Sequence, residues 1–290
     1  MEKRRLGRTG HYSSVVAFGG AALWETTPKE AERALNLAFE AGVNHIDVAP
    51  EYGEAEVLVG QWLSRCREHF FLACKSFLRK KEEVREELHR SLDRLKTDRF
   101  DLYQLHQVDL ESELETVLGP GGGMEAILEA REQGLLKHIG ITSHSQAVLM
   151  KALSRFDFDT VMFPFNFIFY SHADYRSGYE KLMAAAKKRD IGVIIIKAIA
   201  KGNWDARLSG ENRWKRPFLC WYEPFTTQEE ISRALGFVLS QEVATAVTAG
   251  DVKLHAMILN AAKSFVPMSG AEQTALLREA KKYRRLEFTF

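Results

Sequence analysis

The chain has 290 residues, of which 46% are apolar and 27% charged, with a formal net charge of +1. That length accommodates one large α/β domain or two smaller ones, and the interspersed acids and bases give no footing for nucleic acid or an anionic membrane. The N-terminal MEKRRLGRTG lacks a signal-peptide apolar run, residues 193–196 are far too short to span a bilayer, and Cys66, Cys74 and Cys220 match no metal or disulfide spacing, so a reducing cytoplasm is the simplest expectation.

Residues 3–6 and 13–17 read as a hairpin turned at Gly7-Arg8-Thr9-Gly10, with 15–19 continuing into the first core strand. Thr27-Pro28-Lys29-Glu30 is a capping box with proline at the first helical position. Ala31, Ala34, Leu35, Ala38 and Ala41 recur at helical spacing, and Gly42 is placed to end that helix. A strand at 44–48 completes a βαβ unit.

The alternation continues with a strand at 70–74, a helix at 82–95, a strand at 100–105, a helix at 124–133 and a strand at 137–141. Next come a helix at 146–154, a strand at 160–163, a helix at 175–189 and a strand at 192–196. The last of these is almost wholly aliphatic, as a strand covered on both faces should be. A helix at 227–239, a strand at 244–248 and two further helices finish the chain.

Roughly eight βα units from Val15 onward predict a closed (β/α)8 barrel, with an N-terminal hairpin and extra C-terminal helices, in one domain over 1–290. An open doubly wound sheet is the alternative, but no GxGxxG opens the first helix. Two connections, 105–123 and 197–226, are long for a barrel, and long insertions at strand C-termini build binding pockets. The second holds Trp204, Trp214 and Trp221, which either line a pocket or simply cover a barrel end.

In a barrel the C-terminal strand ends face one cavity. There the sequence puts Asp47, with Tyr52 in the loop after it, then Lys75, then His106. Each alone has an ordinary structural reading as a cap, a packing ring or an ion pair. Together they are coherent: a tyrosine of ordinary pKa near ~10 needs a nearby cation to exchange protons at neutral pH. Lys75 supplies that cation, Asp47 holds Lys75 charged, and His106 can donate to a substrate oxygen.

The segments AFGGAALW, HIDVAPEYGEAEVLVG, SLDRLKTDRFDLYQLH, LKHIGITSH and TAGDVKLHAMILN resemble the aldo-keto reductase family, in order and spacing, over essentially the whole chain. The resemblance implies an NAD(P)H-dependent oxidoreductase that reduces an aldehyde or ketone by direct hydride transfer. Its catalytic tetrad falls on Asp47, Tyr52, Lys75 and His106, with Tyr52 the general acid, its pKa lowered by Lys75, and His106 a neutral donor that orients the carbonyl. Cofactor contacts are implied at Gly19, Gly20, Thr142, Ser143, Met162, Ile196, Lys197, Ile199, Gly202, Gly250, Asp251, Lys253 and Asn260. Substrate contacts are implied at Trp24, Tyr52, His106 and Trp204. No metal or iron–sulfur cluster is expected, and the implied partner is a small carbonyl compound bound by a monomer or small homo-oligomer.

Several positions depart from the family pattern. Met162 stands where a glutamine commonly meets the carboxamide, with Asn166 near enough to compensate, and Ile196 stands where an aromatic ring often stacks on the nicotinamide. Gly250 and Ala256 replace basic residues that grip a 2′-phosphate, with Lys253 able to replace them in part, while Asp251 would repel a phosphate or bind a free ribose hydroxyl. Family habit thus slightly favours NADP(H), and the local residues leave NAD(H) open. These departures also leave room for a nicotinamide-binding redox sensor with little turnover. A lyase using Lys75 as a Schiff-base amine is a third reading, opposed by Asp47, which would keep that amine protonated.

Overall fold

A computed structural model describes residues 1–288. The strands are β1 (Lys3–Arg5), β2 (Tyr12–Ser14), β3 (Val16–Gly19), β4 (His45–Asp47), β5 (Phe71–Ser76), β6 (Phe100–Leu105), β7 (Leu136–Thr142), β8 (Thr160–Pro164), β9 (Gly192–Ile196), β10 (Ala200–Gly202), β11 (Glu223–Pro224) and β12 (Thr245–Val247). Eight of them close in the order β12-β3-β4-β5-β6-β7-β8-β9, every pair parallel, as the (β/α)8 reading expects.

The helices are α1 (Pro28–Glu40), α2 (Ala55–Leu63), α3 (Lys81–Leu95), α4 (Glu111–Leu118), α5 (Gly123–Glu132), α6 (Gln146–Arg155), α7 (Phe167–Ser171), α8 (Ala173–Lys188), α9 (Gln228–Leu239), α10 (His255–Lys263) and α11 (Gly270–Glu279). Thr27 and Glu30 form the capping box of α1 through reciprocal bonds, and Gly42, at φ 87°, turns the chain out of it. α4 and α7 were not foreseen. Glu113 opens α4 by accepting from the backbone N–H groups of Asp109 and Leu110, and Asn166 caps α7 by accepting from those of Ile168 and Phe169. No helix among the described residues is long and apolar enough to cross a membrane.

β1 and β2 form the predicted hairpin, and it closes the N-terminal end of the barrel. Leu6 at its turn is wholly buried against Phe71, Ala73, Leu102, Met162, Ile194 and Ala244, all pointing into the barrel. The approach is tight at Gly7: a Cβ there would sit 2.2 Å from the Gly192 backbone nitrogen. With that floor sealed, side chains at the strand C-termini face the opposite, open end.

Candidate active site

Parallel register brings the predicted carboxylate, ammonium and phenol together. β4 ends at Asp47, which pairs with Ala73, so Lys75 projects from β5 one pleat further along. Nζ of Lys75 lies 2.5 Å from Oδ2 of Asp47 and 3.2 Å from the Val48 carbonyl. Both side chains are almost completely buried. Gln104, which pairs with Lys75 from β6, donates to the other Asp47 oxygen at 3.1 Å. Burial opposes the Lys75 charge, but Asp47 and then Tyr52 outweigh it and hold the ammonium above its ordinary pKa.

The same ammonium lies 4.9 Å from the centroid of the Tyr52 ring. The expected lowering of the phenol pKa is not what results. Burial of the ring is the largest influence and pushes Tyr52 up to about 12, with Lys75 pulling it back only in part and Asp47 raising it further. Tyr52 is therefore protonated throughout the neutral range.

His106 follows β6 and meets Tyr52 edge-on, with ring centroids 6.0 Å apart. Its Nδ1 lies 3.2 Å from Oε2 of Glu51, a residue the sequence reading passed over. Burial, chiefly, lowers the His106 pKa, with Lys75 adding to the effect and Glu51 opposing it.

These groups line one cavity of about 590 Å³ at the open end of the barrel. Of the expected cofactor and substrate residues, Gly19, Trp24, Thr142, Ser143, Met162, Ile196, Lys197 and Gly250 line it with the tetrad. Gly20, Ile199, Gly202, Asp251, Lys253, Asn260 and Trp204 do not. Gly20 abuts Val48, Ile199 is buried and accepts from the Phe225 amide, and Gly202 is paired in the β10–β11 ribbon. The Asp251 carboxylate is occupied by the Leu219 and Lys253 backbone amides, at 2.8 and 2.9 Å, and Lys253 Nζ meets the Pro217 carbonyl at 3.3 Å. Asn260 is exposed on α10. The Trp204 indole donates to the Cys220 carbonyl at 2.8 Å, and Trp221 takes the wall position instead, tilted against Tyr52 and edge-on to Trp24. Asn166 cannot stand in for Met162, because its amide nitrogen donates to the Lys197 and Ala200 carbonyls while its oxygen caps α7.

A second polar chain reaches the cavity from the loops after β6, β7 and β9. Asp109 accepts from Nδ1 of His144 at 2.8 Å, from the His144 amide at 2.6 Å and from the Ser143 hydroxyl at 2.9 Å. Nε2 of His144 lies 2.8 Å from Nζ of Lys197. Phe288 stacks on the His144 ring at 4.2 Å, and Asn203 holds the neighbouring Glu287 backbone through two hydrogen bonds.

Within this cavity the donor set fits the nicotinamide end of a dinucleotide. Thr142 accepts from the Gln107 amide at 2.7 Å, which leaves its hydroxyl proton available to a carboxamide oxygen, and Ile196 supplies an apolar wall. Trp221, Tyr222, Thr248 and Gly250 also line the cavity, and no arginine among the described residues does so. No group of three or more metal-ligating side chains is found among the described residues.

The model of the aldo/keto reductase family matches residues 15–235. An uncharacterized oxidoreductase of Bacillus subtilis, YqkF, is 29% identical over 216 residues, 70% of this chain and 66% of that protein. L-galactose dehydrogenase of Arabidopsis thaliana is 27% identical over 217 residues, with the same coverage of each, and D-arabinose 1-dehydrogenase of Saccharomyces cerevisiae is 32% identical over 151 residues, 45% of this chain and 43% of that one. The alignments thus span about two thirds or less of these relatives. Among solved structures, the holo form of the aldo-keto reductase AKR11C1 from Bacillus halodurans superposes with a TM-score of 0.74 at 22% identity, covering 97% of this chain and 96% of that one.

Proposed function

This chain belongs to the aldo/keto reductase family, and on that premise we propose that it reduces an aldehyde or ketone to an alcohol with a reduced nicotinamide dinucleotide. The observation that carries the reading is the Tyr52 phenol beside the buried Lys75–Asp47 pair, at the wall of a cavity large enough for a nucleotide head and a small substrate. When bound, the nicotinamide supplies the hydride. Tyr52, held protonated, gives its proton to the oxygen of the carbonyl as negative charge builds there. Lys75 offsets the charge left on the phenol, and Asp47, fixed by Gln104, keeps Lys75 in place. Trp24, Phe77 and Trp221 give the cavity an aromatic wall, which suits an apolar or aromatic substrate.

Of the two dinucleotides, the side chains favour NADH. Gly250 and Ala256 provide no cation for a 2′-phosphate, and Lys253 is turned to Pro217. Two relatives are named as sugar dehydrogenases, so an assay should run in both directions.

The test is a parallel titration with NADH and NADPH, followed by loss of reduced-nicotinamide absorbance with a panel of aldehydes and ketones. Tyr52→Phe should lower turnover by about 10²–10⁴-fold while changing nucleotide affinity little. Near wild-type turnover in that variant would show that another group is the acid. Tight nucleotide binding without turnover on any carbonyl would favour a sensor instead.

A further inference from the structure

The chain Asp109–His144–Lys197 has no part in the reduction described above, yet it has the form of an activated nucleophile: a reactive atom, a base within hydrogen-bond reach, and a third group that orients the base. An ionised carboxylate only accepts, so the proton on Nδ1 of His144 points to Asp109 and Nε2 offers its lone pair to Lys197. Asp109 is itself buried and held by three donors, which fixes the ring.

The backbone at Lys197 is equally specified. Its φ is 61°, the left-handed region that a non-glycine residue rarely occupies. Asn166 and the Ala200 amide secure its carbonyl there. Strain of this kind persists where the surroundings over-determine it, and here it points a lysine into the cavity. Among the described residues Lys197 forms no ion pair with a carboxylate, unlike Lys75. Burial lowers its amine to about 8, only partly opposed by Asp109, and likewise lowers His144 to about 4, with Lys197 adding to that effect.

We propose that Lys197 is a second reactive centre in this cavity, an amine that condenses reversibly with aldehydes or ketones to form an imine, with His144 carrying the protons. The nitrogen lone pair attacks the carbonyl carbon, and the C=O π pair moves to oxygen. His144 carries one proton from the new ammonium nitrogen to the alkoxide, giving the carbinolamine, and then the second from that nitrogen to the hydroxyl, which leaves as water while C=N forms. One carbonyl and one amine thus give one imine and one water, with no change of oxidation state and no co-reactant. The step involves no nicotinamide, so it stands or fails independently of the reductase reading.

The experiment treats the full-length protein, without added nucleotide, with near-equimolar benzaldehyde and cyanoborohydride near neutral pH, and follows each lysine by peptide mass mapping. Lys197 should label at least about tenfold faster than any other lysine, because each unit of lowered pKa gives tenfold more free amine. His144→Asn should slow that labelling about tenfold without changing the melting temperature appreciably. Lys197→Met should abolish the fast adduct; should that variant not fold, the wild-type map decides alone. Labelling spread evenly over exposed lysines, or directed to Lys75, would overturn the proposal. An unchanged Lys197 rate in His144→Asn would overturn the role of His144.

Discussion

Glu51 accepts from Nδ1 of His106 at 3.2 Å, and that contact decides which nitrogen of the ring bears the proton. Burial works against the Glu51 charge, but the hydrogen bond from His106 holds its carboxyl below the ordinary range, so it stays an acceptor. A neutral His106 then presents a bare Nε2 to the cavity. This arrangement does not provide the neutral donor expected from the family resemblance, which leaves Tyr52 as the proton donor in the proposed reduction.

Long-range ¹H–¹⁵N spectra should therefore show His106 protonated at Nδ1 in the wild-type protein. Glu51→Gln, whose amide can either accept or donate, should shift the ring toward a mixture of tautomers. A wild-type ring protonated at Nε2 would remove Glu51 from this role.

With Tyr52 as the proposed acid, the two reaction directions have opposite pH dependences. Reduction uses the protonated form, which is present below its pKa and lost as pH rises toward about 12. Oxidation needs the phenolate, whose population grows with pH over the same interval. Rates of reduction should be flat through pH 6–9, and rates of alcohol oxidation should climb across it by about tenfold per pH unit. Equal, flat profiles in both directions would contradict a phenol of such high pKa.

Removing one partner of the buried Lys75–Asp47 pair leaves the other uncompensated. Lys75→Met should lower unfolding stability by about 3–5 kcal/mol, measured by urea denaturation. Combining it with Asp47→Asn should recover part of the loss, since the buried charge is then gone. A double variant as unstable as Lys75→Met alone would show that the cost is in packing.

How far the sequence foretold this site follows from the range of the interactions. Asp47, Tyr52, Lys75 and His106 sit at strand ends that periodicity locates, so the barrel alone brings them together. Glu51 and Gln104 act through contacts that local pattern does not encode: Glu51 reads as one more loop acid, and Gln104 as one polar position inside LYQLH. Asp109, His144 and Lys197 are spread over 88 positions (109 to 197) and meet only once the barrel has closed. Trp204 and Trp221 were indistinguishable by type; which one faces the cavity depends on the path of an irregular loop. The signals missed for α4 and α7 were caps, Glu113 and Asn166, hidden beside a glycine run and an aromatic cluster.

Five buried or half-buried histidines (His11, His45, His106, His144 and His255), each with a lowered pKa, should make the fold acid-sensitive before its carboxylates titrate. His45 and His255 are the most enclosed, and burial, first among the causes, lowers them to about 3 and about 4. With folded pKa values below the unfolded ~6.5, the unfolded chain binds more protons between those limits. Stability is complete above about 6.5 and falls as pH drops toward 4, by up to about 2 kcal/mol for each of these two residues at pH 5. Thermal melts at pH 7 and pH 5 check this, and His255→Gln should narrow the gap between them. A melting temperature that is constant over that range would rule the effect out.

The plug formed by Leu6 also shapes the order of events. The hairpin seals the barrel floor, so in the proposed reduction nucleotide and carbonyl both reach Tyr52 from the open end. Whichever lies deeper arrives first and departs last. In that proposed reaction product leaving by the same end must clear before the deeper ligand departs, which would let release, rather than the proton and hydride steps, set throughput.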